Sequence, residues 1–109
     1  MKYGYDNPDD WEVYKYDHCA KVKYHAKANK VSFNLTPDDF IYPRVCPILE
    51  IPITRKLKRE NHPTMDRIDP LKGYVKGNAR IISQKANLMK QDNTVETLER
   101  LIRYIRGEI

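Results

Sequence analysis

The chain has 109 residues and a formal net charge of +5, with 20 Lys and Arg against 15 Asp and Glu. This length suffices for about one domain with a modest core, and no apolar run approaches the length that a membrane span needs. Excess positive charge favours binding to polyanions such as nucleic acid, because binding releases counterions from the polyanion. This contribution to affinity is independent of nucleotide sequence. A basic surface without such a partner is the alternative.

The cysteines and the N-terminus bear on the compartment. Cys19 and Cys46 are far apart and form no C-x-x-C, which argues against a four-ligand zinc site, although three histidines leave a mixed site open. One disulfide is the alternative to two free thiols, and the lack of secretory features favours free thiols. Residues 1–6 lack the apolar core of a signal peptide. We therefore expect a cytoplasmic protein with no membrane association.

The first predicted element is a helix from Trp11 to about Asn29, preceded by a turn and helix-start signal at residues 7–10. Apolar and aromatic residues recur in it with helical spacing, at Trp11, Tyr14, His18, Val22 and Ala26. Lysines lie in or just beyond it, at Lys15, Lys21, Lys23, Lys27 and Lys30. They form either a solvated helix face or, taken together, a surface for a phosphate backbone.

Short elements are predicted for the middle of the chain. Residues 31–35 alternate apolar with polar, which predicts a short strand. Thr36 as N-cap and Pro37 at the first helical position then begin a short helix. Residues 46–53 are apolar but contain two prolines, which predicts extended chain or an edge strand. Residues 54–64 read as a basic loop that is mobile without DNA.

The C-terminal third is predicted to contain two strands and two helices. Residues 65–82 read as two short antiparallel strands joined by a long turn, and Ser83 is a plausible N-cap for a helix through about Lys90. Asn93 and Glu96 have the form of a capping box for the last helix. That helix carries an apolar stripe, predicted to pack in the core, at Val95, Leu98, Leu101, Ile102 and Ile105.

Three short motifs carry a family resemblance. Asp66-Arg67-Ile68-Asp69, Gly77-Asn78 and Ala86-Asn87 resemble the ββα-metal nucleases, also called the HNH or His-Me finger family. The stretch from about Val31 to Ile105 resembles small phage-type HNH proteins. The resemblance implies one α+β domain spanning residues 1–109. Its ββα-metal core would occupy residues 65–90, with an N-terminal helical extension at 1–30 and a C-terminal helix at 93–107.

The resemblance also assigns roles to residues. Asp66 matches the family's first metal ligand, Asn87 matches the second, and Asn78 matches the central Asn that helps position the base. Asn78 and Asn87 are nine positions apart. At about 3.6 residues per turn, Asn87 falls about one turn inside the helix and can point back at the end of the first strand. The implied cofactor is Mg²⁺ or Mn²⁺, held by few protein oxygens.

Arg67 departs from the family pattern, because the family usually has its base histidine there. Arg stays protonated at physiological pH and cannot take a proton from water in the ordinary way. Arg67 could instead hold the scissile phosphate. The base would then be His62, His25, Asp69 or a metal-bound hydroxide. Asp69 could also cap a turn, support Arg67 or hydrogen-bond a metal ligand, and His18 and His25 are expected to be structural or surface residues.

The leading hypothesis is a Mg²⁺- or Mn²⁺-dependent endonuclease that hydrolyses DNA phosphodiesters with low sequence specificity, in a bacterial or phage-infected cell. The residues expected to grip phosphates are Arg55, Lys56, Lys58, Arg59, Lys72, Lys76 and Lys85, besides Arg67. One alternative is a catalytically inactive HNH fold that binds nucleic acid or protein. Another is a phage protein that inhibits a host factor. The oligomeric state is left open.

Overall fold

The computed structural model describes residues 7–109, so the first six residues of the predicted N-terminal extension lie outside the described range. Within that range the chain is mixed α+β, with three α-helices and one two-stranded antiparallel sheet. The elements in chain order are α1 (Pro8–Ala28), β1 (Pro63–Arg67), β2 (Ala79–Ser83), α2 (Gln84–Lys90) and α3 (Val95–Ile105). None of the helices in residues 7–109 is long and apolar enough to cross a membrane.

The predicted first helix is confirmed as α1. Asn7 caps it, with its side-chain oxygen accepting from the Asp9 amide at 2.8 Å, and Pro8 occupies the first turn. The predicted stripe faces inward, because His18 and Ala26 are buried and the remaining members are half-buried. The helix therefore starts at the signal at residues 7–10, three residues before the first apolar position.

The predicted basic face of α1 loses two members to ion pairs. Lys15 is buried, and its ammonium bonds the carboxylates of Glu12 at 2.9 Å and Asp38 at 2.7 Å. Lys21 pairs with Asp17, one turn earlier, at 3.0 Å. Lys15 in particular ties α1 to the 3₁₀ turn Pro37–Asp39, so its charge is not presented to a phosphate backbone.

The predicted strand at residues 31–35 is wrong in extent, because only Phe33 forms a bridge, parallel to Tyr74. The Tyr74 amide donates to the Ser32 carbonyl at 2.8 Å, and a Cβ on Gly73 would lie 2.4 Å from that same oxygen. Glycine is therefore required at 73 by close backbone approach. The pairing ends early because Pro37 begins a 3₁₀ turn, closed by a 2.7 Å bond from the Thr36 amide to the Asp39 carboxylate.

The region from 46 to 64 is more closed than predicted. Residues 46–53 form a tight loop rather than a continuous strand: the Cys46 amide donates to the Ile51 carbonyl at 2.7 Å, and only Val45 and Pro52 form a bridge. The basic segment is anchored at both ends, because buried Thr54 donates its amide to the carbonyl of buried Asn61 at 2.9 Å. The expected mobile loop is thus a loop with fixed ends.

The sheet has two covered faces. Met65 pairs with Ile81, and both pack against Cys19, Leu35 and Phe40. Ile82, on the opposite face, packs against Ala86 of α2 together with Cys46 and Ile53. The two cysteines therefore lie in separate clusters, and both are buried free thiols.

The last two helices differ in how well the sequence predicted them. Ser83 caps α2 as predicted, with its hydroxyl accepting from the Ala86 amide at 3.1 Å. The cap of α3 is Thr94 rather than Asn93, because the Asn93 side chain instead donates to the Met89 carbonyl at 3.0 Å.

The apolar stripe of α3 is not part of the core. No residue of α3 is buried, and Ile105 is 72% exposed. The prediction is wrong because both faces of the two-stranded sheet are already covered, one by α1 and the 33–40 segment and the other by α2 and the 46–53 loop.

Candidate functional site

A cleft of about 730 Å³ lies where the end of β1, the last turn of α2 and the start of α3 meet. Asp66 and Arg67 line it from β1, and Asn87 lines it from α2. The predicted metal ligands and the residue at the base position therefore share one cleft. Residues that sequence reasoning did not assign also line it, notably Lys90 and Asp92.

Strand alternation and helix periodicity bring these side chains together. Successive residues of a strand point to opposite faces, so Thr64 and Asp66 face α2 while Met65 faces the α1 side. The Thr64 hydroxyl donates to the Gln84 side-chain oxygen at 2.7 Å, which fixes the start of α2 against β1. On α2, residues three apart share a face, so Asn87 and Lys90 both line the cleft, and Lys90 contacts the end of β1.

Lys90 makes the tightest contacts in the cleft. Its ammonium lies 2.7 Å from Oδ2 of Asp66 and also donates to the carbonyl oxygens of Arg67 and Ile68. The Asp66 side chain is only 13% exposed, whereas that of Lys90 is 36% exposed. A lysine on a helix ordinarily reads as solvated surface. Nothing in the neighbouring sequence distinguishes this lysine from a solvated one.

Arg67 is held at the mouth of the cleft. Its Nη1 donates to the carbonyl oxygens of Pro70 at 3.2 Å and Lys72 at 3.3 Å, and the guanidinium lies 5.4 Å from the centre of the Tyr74 ring. Among residues 7–109, neither Nε nor Nη2 of Arg67 bonds another residue. Those N–H groups can therefore donate to a phosphate without breaking the bonds that orient the side chain.

Asn78 organises the connection between the strands. It is buried, and its side-chain oxygen accepts from the Asp69 amide at 2.9 Å. Its amide nitrogen donates to the carbonyl oxygens of Asp69 at 3.1 Å and Gly73 at 2.9 Å. Asp69 itself caps a turn, with Oδ1 accepting from the Leu71 amide at 2.9 Å. Asn78 thus positions the backbone beside Arg67, and Asp69 has the turn role.

None of the three histidines, all within residues 7–109 and including the proposed bases His62 and His25, lines the cleft. His62 precedes β1, five residues before Arg67, and at roughly 3.3 Å per residue the two backbones are about 16 Å apart. His25 is exposed on α1. His18 is buried, with Nδ1 2.8 Å from the Tyr42 hydroxyl. Closeness in sequence therefore does not bring His62 to Arg67.

The predicted phosphate-binding residues fall into separate groups. Lys72 and Lys76 lie in the connection between β1 and β2, where the Lys72 carbonyl accepts from Arg67 and the Lys76 ammonium pairs with Asp39 at 2.7 Å. Lys85, at the start of α2, lies at the opposite end of the sheet. The remaining four residues precede β1, at the same end of the sheet as Lys85: Arg55, Lys56, Lys58 and Arg59. Arg55 stacks over α1, with its guanidinium 4.0 Å from the centre of the Tyr14 ring.

The donor set in the cleft suits a hard divalent cation. Asp66 supplies a carboxylate and Asn87 an amide oxygen, and Mg²⁺ takes few protein oxygens while keeping several waters. No group of three His, Cys, Asp or Glu side chains is gathered for a metal within residues 7–109, so ligation here would depend on these two oxygens and water. Lys90 engages Oδ2 of Asp66, and in the described chain Oδ1 has no hydrogen-bond partner.

Comparison with known proteins gave no relative: no family model, no curated protein and no solved structure matches this chain. The function is therefore argued from the geometry of the cleft.

Proposed function

We propose that this chain is a divalent-metal-dependent DNA endonuclease of the ββα-metal type, which hydrolyses phosphodiester bonds with low sequence specificity. One observation carries the proposal: an antiparallel strand pair followed directly by a helix brings Asp66, Arg67 and Asn87 onto a single cleft. The net charge of +5 is in keeping with a polyanionic substrate.

In the proposed site, Asp66 and Asn87 hold the cation and Arg67 holds the substrate. The cation, when bound, supplies Lewis-acid stabilisation of the charge on the scissile phosphate and the leaving oxygen. Arg67 binds a phosphate oxygen through its remaining N–H groups, and its bonds to Pro70 and Lys72 fix its orientation beforehand. Asn78 keeps that connection in place through three side-chain hydrogen bonds.

Proton transfer requires a group other than Arg67. Asp92 lines the cleft and is exposed, whereas the carboxylate of Asp66 is engaged by Lys90. We assign Asp92 as the acceptor for the proton of the attacking water. It replaces His62, which the strand geometry holds at the other end of β1.

Low sequence specificity follows from the kind of contact expected. Arg67 lines the cleft and Lys72 lies beside it in the same connection, and both would contact phosphates, which are the same for every base sequence. Phosphate contacts position a duplex without reading it, so cleavage should vary little from one sequence to another.

The second candidate is a catalytically inactive module that binds nucleic acid. The observation that favours it is the ion pair of Lys90 and Asp66, which neutralises the carboxylate without any added cation. No histidine lines the cleft in the described part of the chain, which agrees with either candidate.

Nicking of supercoiled plasmid by the purified protein in Mg²⁺ or Mn²⁺ separates the two candidates. We expect metal-dependent nicking by the wild type. Asp66→Asn and Asp92→Asn should each lose on the order of 10²-fold in rate, as is typical for removal of a catalytic group. Asp17→Asn is the matched control, because Asp17 is exposed on α1 and pairs only with Lys21 in the described chain.

Two results count against the endonuclease proposal. One is a wild type that leaves plasmid intact in both metals while still binding DNA, which supports the binding module. The other is nicking that survives in Asp66→Asn at the wild-type rate, which would trace the activity to a different site or to a contaminant.

A further inference from the structure

We propose that the ammonium of Lys90 is an internal competitor of the divalent cation: the two occupy the Asp66 site alternately. Lys90 then holds the end of β1 together in the metal-free protein and weakens metal binding. This inference rests on the proposed function only for the location of the cation site.

The ammonium of Lys90 has as many oxygen partners as it has N–H donors. A lysine ammonium has three N–H donors and no acceptor. Here it has three oxygen partners: Oδ2 of Asp66 at 2.7 Å, the Arg67 carbonyl, and the Ile68 carbonyl at 3.3 Å. Its donor capacity is therefore filled by one carboxylate and two backbone oxygens at the end of a strand.

The oxygens around the Lys90 ammonium are of the types that bind metal ions. Carboxylates and backbone carbonyls are the ligand types that hard divalent cations take in proteins. An ammonium and a hard divalent cation therefore compete for the same kinds of oxygen, the metal at shorter distances. The ammonium and the metal ion do not bind Asp66 at the same time, because like charges at contact distance repel each other in a partly buried site.

The Lys90 side chain is more exposed and more flexible than the Asp66 side chain. The Asp66 side chain is 13% exposed and is fixed on a paired strand, opposite Arg80. The Lys90 side chain is 36% exposed and ends a flexible four-carbon stem on the last turn of α2. Lys90 can swing into solvent when a metal arrives, whereas Asp66 stays in place. Asn87, one helical turn before Lys90, then faces the vacated position.

The test measures Mn²⁺ affinity directly, from the electron paramagnetic resonance signal of free Mn²⁺. Lys90→Met removes the charge and keeps much of the stem, and we expect it to bind Mn²⁺ at least 10-fold more tightly than the wild type. Lys90→Arg keeps the charge and should bind no more tightly than the wild type. Lys23→Met, at an exposed lysine on α1, should stay within about 2-fold of the wild type, because a distant surface charge is screened by solvent and salt.

A second readout is thermal unfolding. Without metal, Lys90→Met should melt below the wild type, because the Asp66 carboxylate and two carbonyls lose their donor. Saturating Mn²⁺ should then raise its Tm by more than it raises that of the wild type, because tighter binding to the native state stabilises it more. Lys90→Gln, which keeps a donor, serves if Lys90→Met does not fold.

Three results would overturn the inference. If folded Lys90→Met or Lys90→Gln binds Mn²⁺ no more tightly than the wild type, the pair of Lys90 and Asp66 is only structural. Failure of both wild type and variant to bind Mn²⁺ removes the cation site. A gain that persists in the double variant Asp66→Asn, Lys90→Met shows that the ion binds elsewhere. If Mn²⁺ binding tightens as expected but plasmid is not nicked, the proposed endonuclease fails while the competition stands.

Discussion

Arg67 is held in one orientation at the mouth of the cleft. Backbone carbonyls of Pro70 and Lys72 and the ring of Tyr74 hold the guanidinium at the cleft mouth. A permanently charged planar fork held in this way suits phosphate binding and excludes proton abstraction.

Substitution of Arg67 tests that role. Arg67→Ala should lose most of the plasmid-nicking rate, and Arg67→Lys should recover only part, since a point charge replaces a bidentate fork. The measurement is the nicking rate in Mg²⁺ at fixed ionic strength. Arg67→His with a rate above the wild type would show instead that this position works as a base site.

His18 predicts a pH-dependent stability. Burial is the main cause that lowers the pKa of His18 from its usual 6.5 to about 4, with Lys21 and Arg55 adding to the effect and Asp17 opposing it. The unfolded chain binds a proton below pH 6.5 while the native protein does not until about pH 4, so stability is full above this window and falls as pH drops through it. The loss is about 3 kcal/mol.

The measurement for His18 is the free energy of unfolding by urea at several pH values within that window. His18→Gln should flatten the dependence, and His25→Gln, changed at an exposed position of the same helix, should keep it. An equal slope in the wild type and His18→Gln would contradict the assignment.

Part of the cleft lining could be predicted from the sequence. The family resemblance singled out Asp66, Asn78 and Asn87; Asp66 and Asn87 line one cleft and Asn78 holds the neighbouring connection, while their catalytic and metal-binding roles stay predictions. The contact of Lys90 could not be predicted, because nothing in its sequence neighbours distinguishes a lysine that folds back on a strand from one in solvent. His62 is close to Arg67 in sequence but not in space, because an extended strand separates its two ends by its full length.

The elements were predictable where local signals and burial agree. Ser83 caps α2 as predicted, and the two antiparallel strands predicted within 65–82 are present as Pro63–Arg67 and Ala79–Ser83. Residues 31–35 alternate apolar with polar, but the neighbouring chain offers only Tyr74 as a partner before the Thr36–Asp39 turn begins. The apolar stripe of α3 has the pattern of a core helix. The pattern alone does not show whether a face of the sheet is still uncovered and available to pack against the helix.

The exposed stripe of α3 makes a stability prediction. Ile105→Ala should change the free energy of unfolding by less than about 0.5 kcal/mol, because the side chain is exposed and Ala favours helix. Ile82→Ala, at a residue 1% exposed in the core, should cost about 2–5 kcal/mol. Urea unfolding of the two variants gives the comparison.

A loss of more than about 2 kcal/mol in Ile105→Ala would contradict the exposed position of α3, because losses of that size come from buried sites. The comparison is made at low and high protein concentration, so that burial between copies is distinguished from burial within one chain.

At the scale of the whole molecule, charge is spread rather than concentrated. Lys72 lies beside Arg67 in the connection between β1 and β2, whereas the segment 54–59 precedes β1 at the other end of the sheet, and Lys15 and Lys76 are engaged in ion pairs. Binding to DNA should therefore be electrostatic and indifferent to sequence, with the cleft-side residues closest to the scissile phosphate.

Salt dependence of DNA affinity tests this distribution. Each phosphate contact contributes about −0.9 to the slope of log K against log salt, so Lys72→Gln should make the slope shallower by about one such contact. Lys23→Gln, at an exposed position on α1, should leave it unchanged. Equal effects of the two substitutions, in fluorescence anisotropy with a short duplex, would mean that no face is preferred.

The measurement that tests the cation site most directly is the broadening of backbone amide signals by substoichiometric Mn²⁺ in a nuclear magnetic resonance spectrum. Paramagnetic broadening falls steeply with distance from the ion, so the affected residues locate it. We expect the signals of residues 65–69 and 86–92 to broaden first, and we expect Asp66→Asn to abolish the effect. Broadening centred on the acidic first turn of α1, at Asp9 and Asp10, with residues 65–69 unaffected, would contradict it.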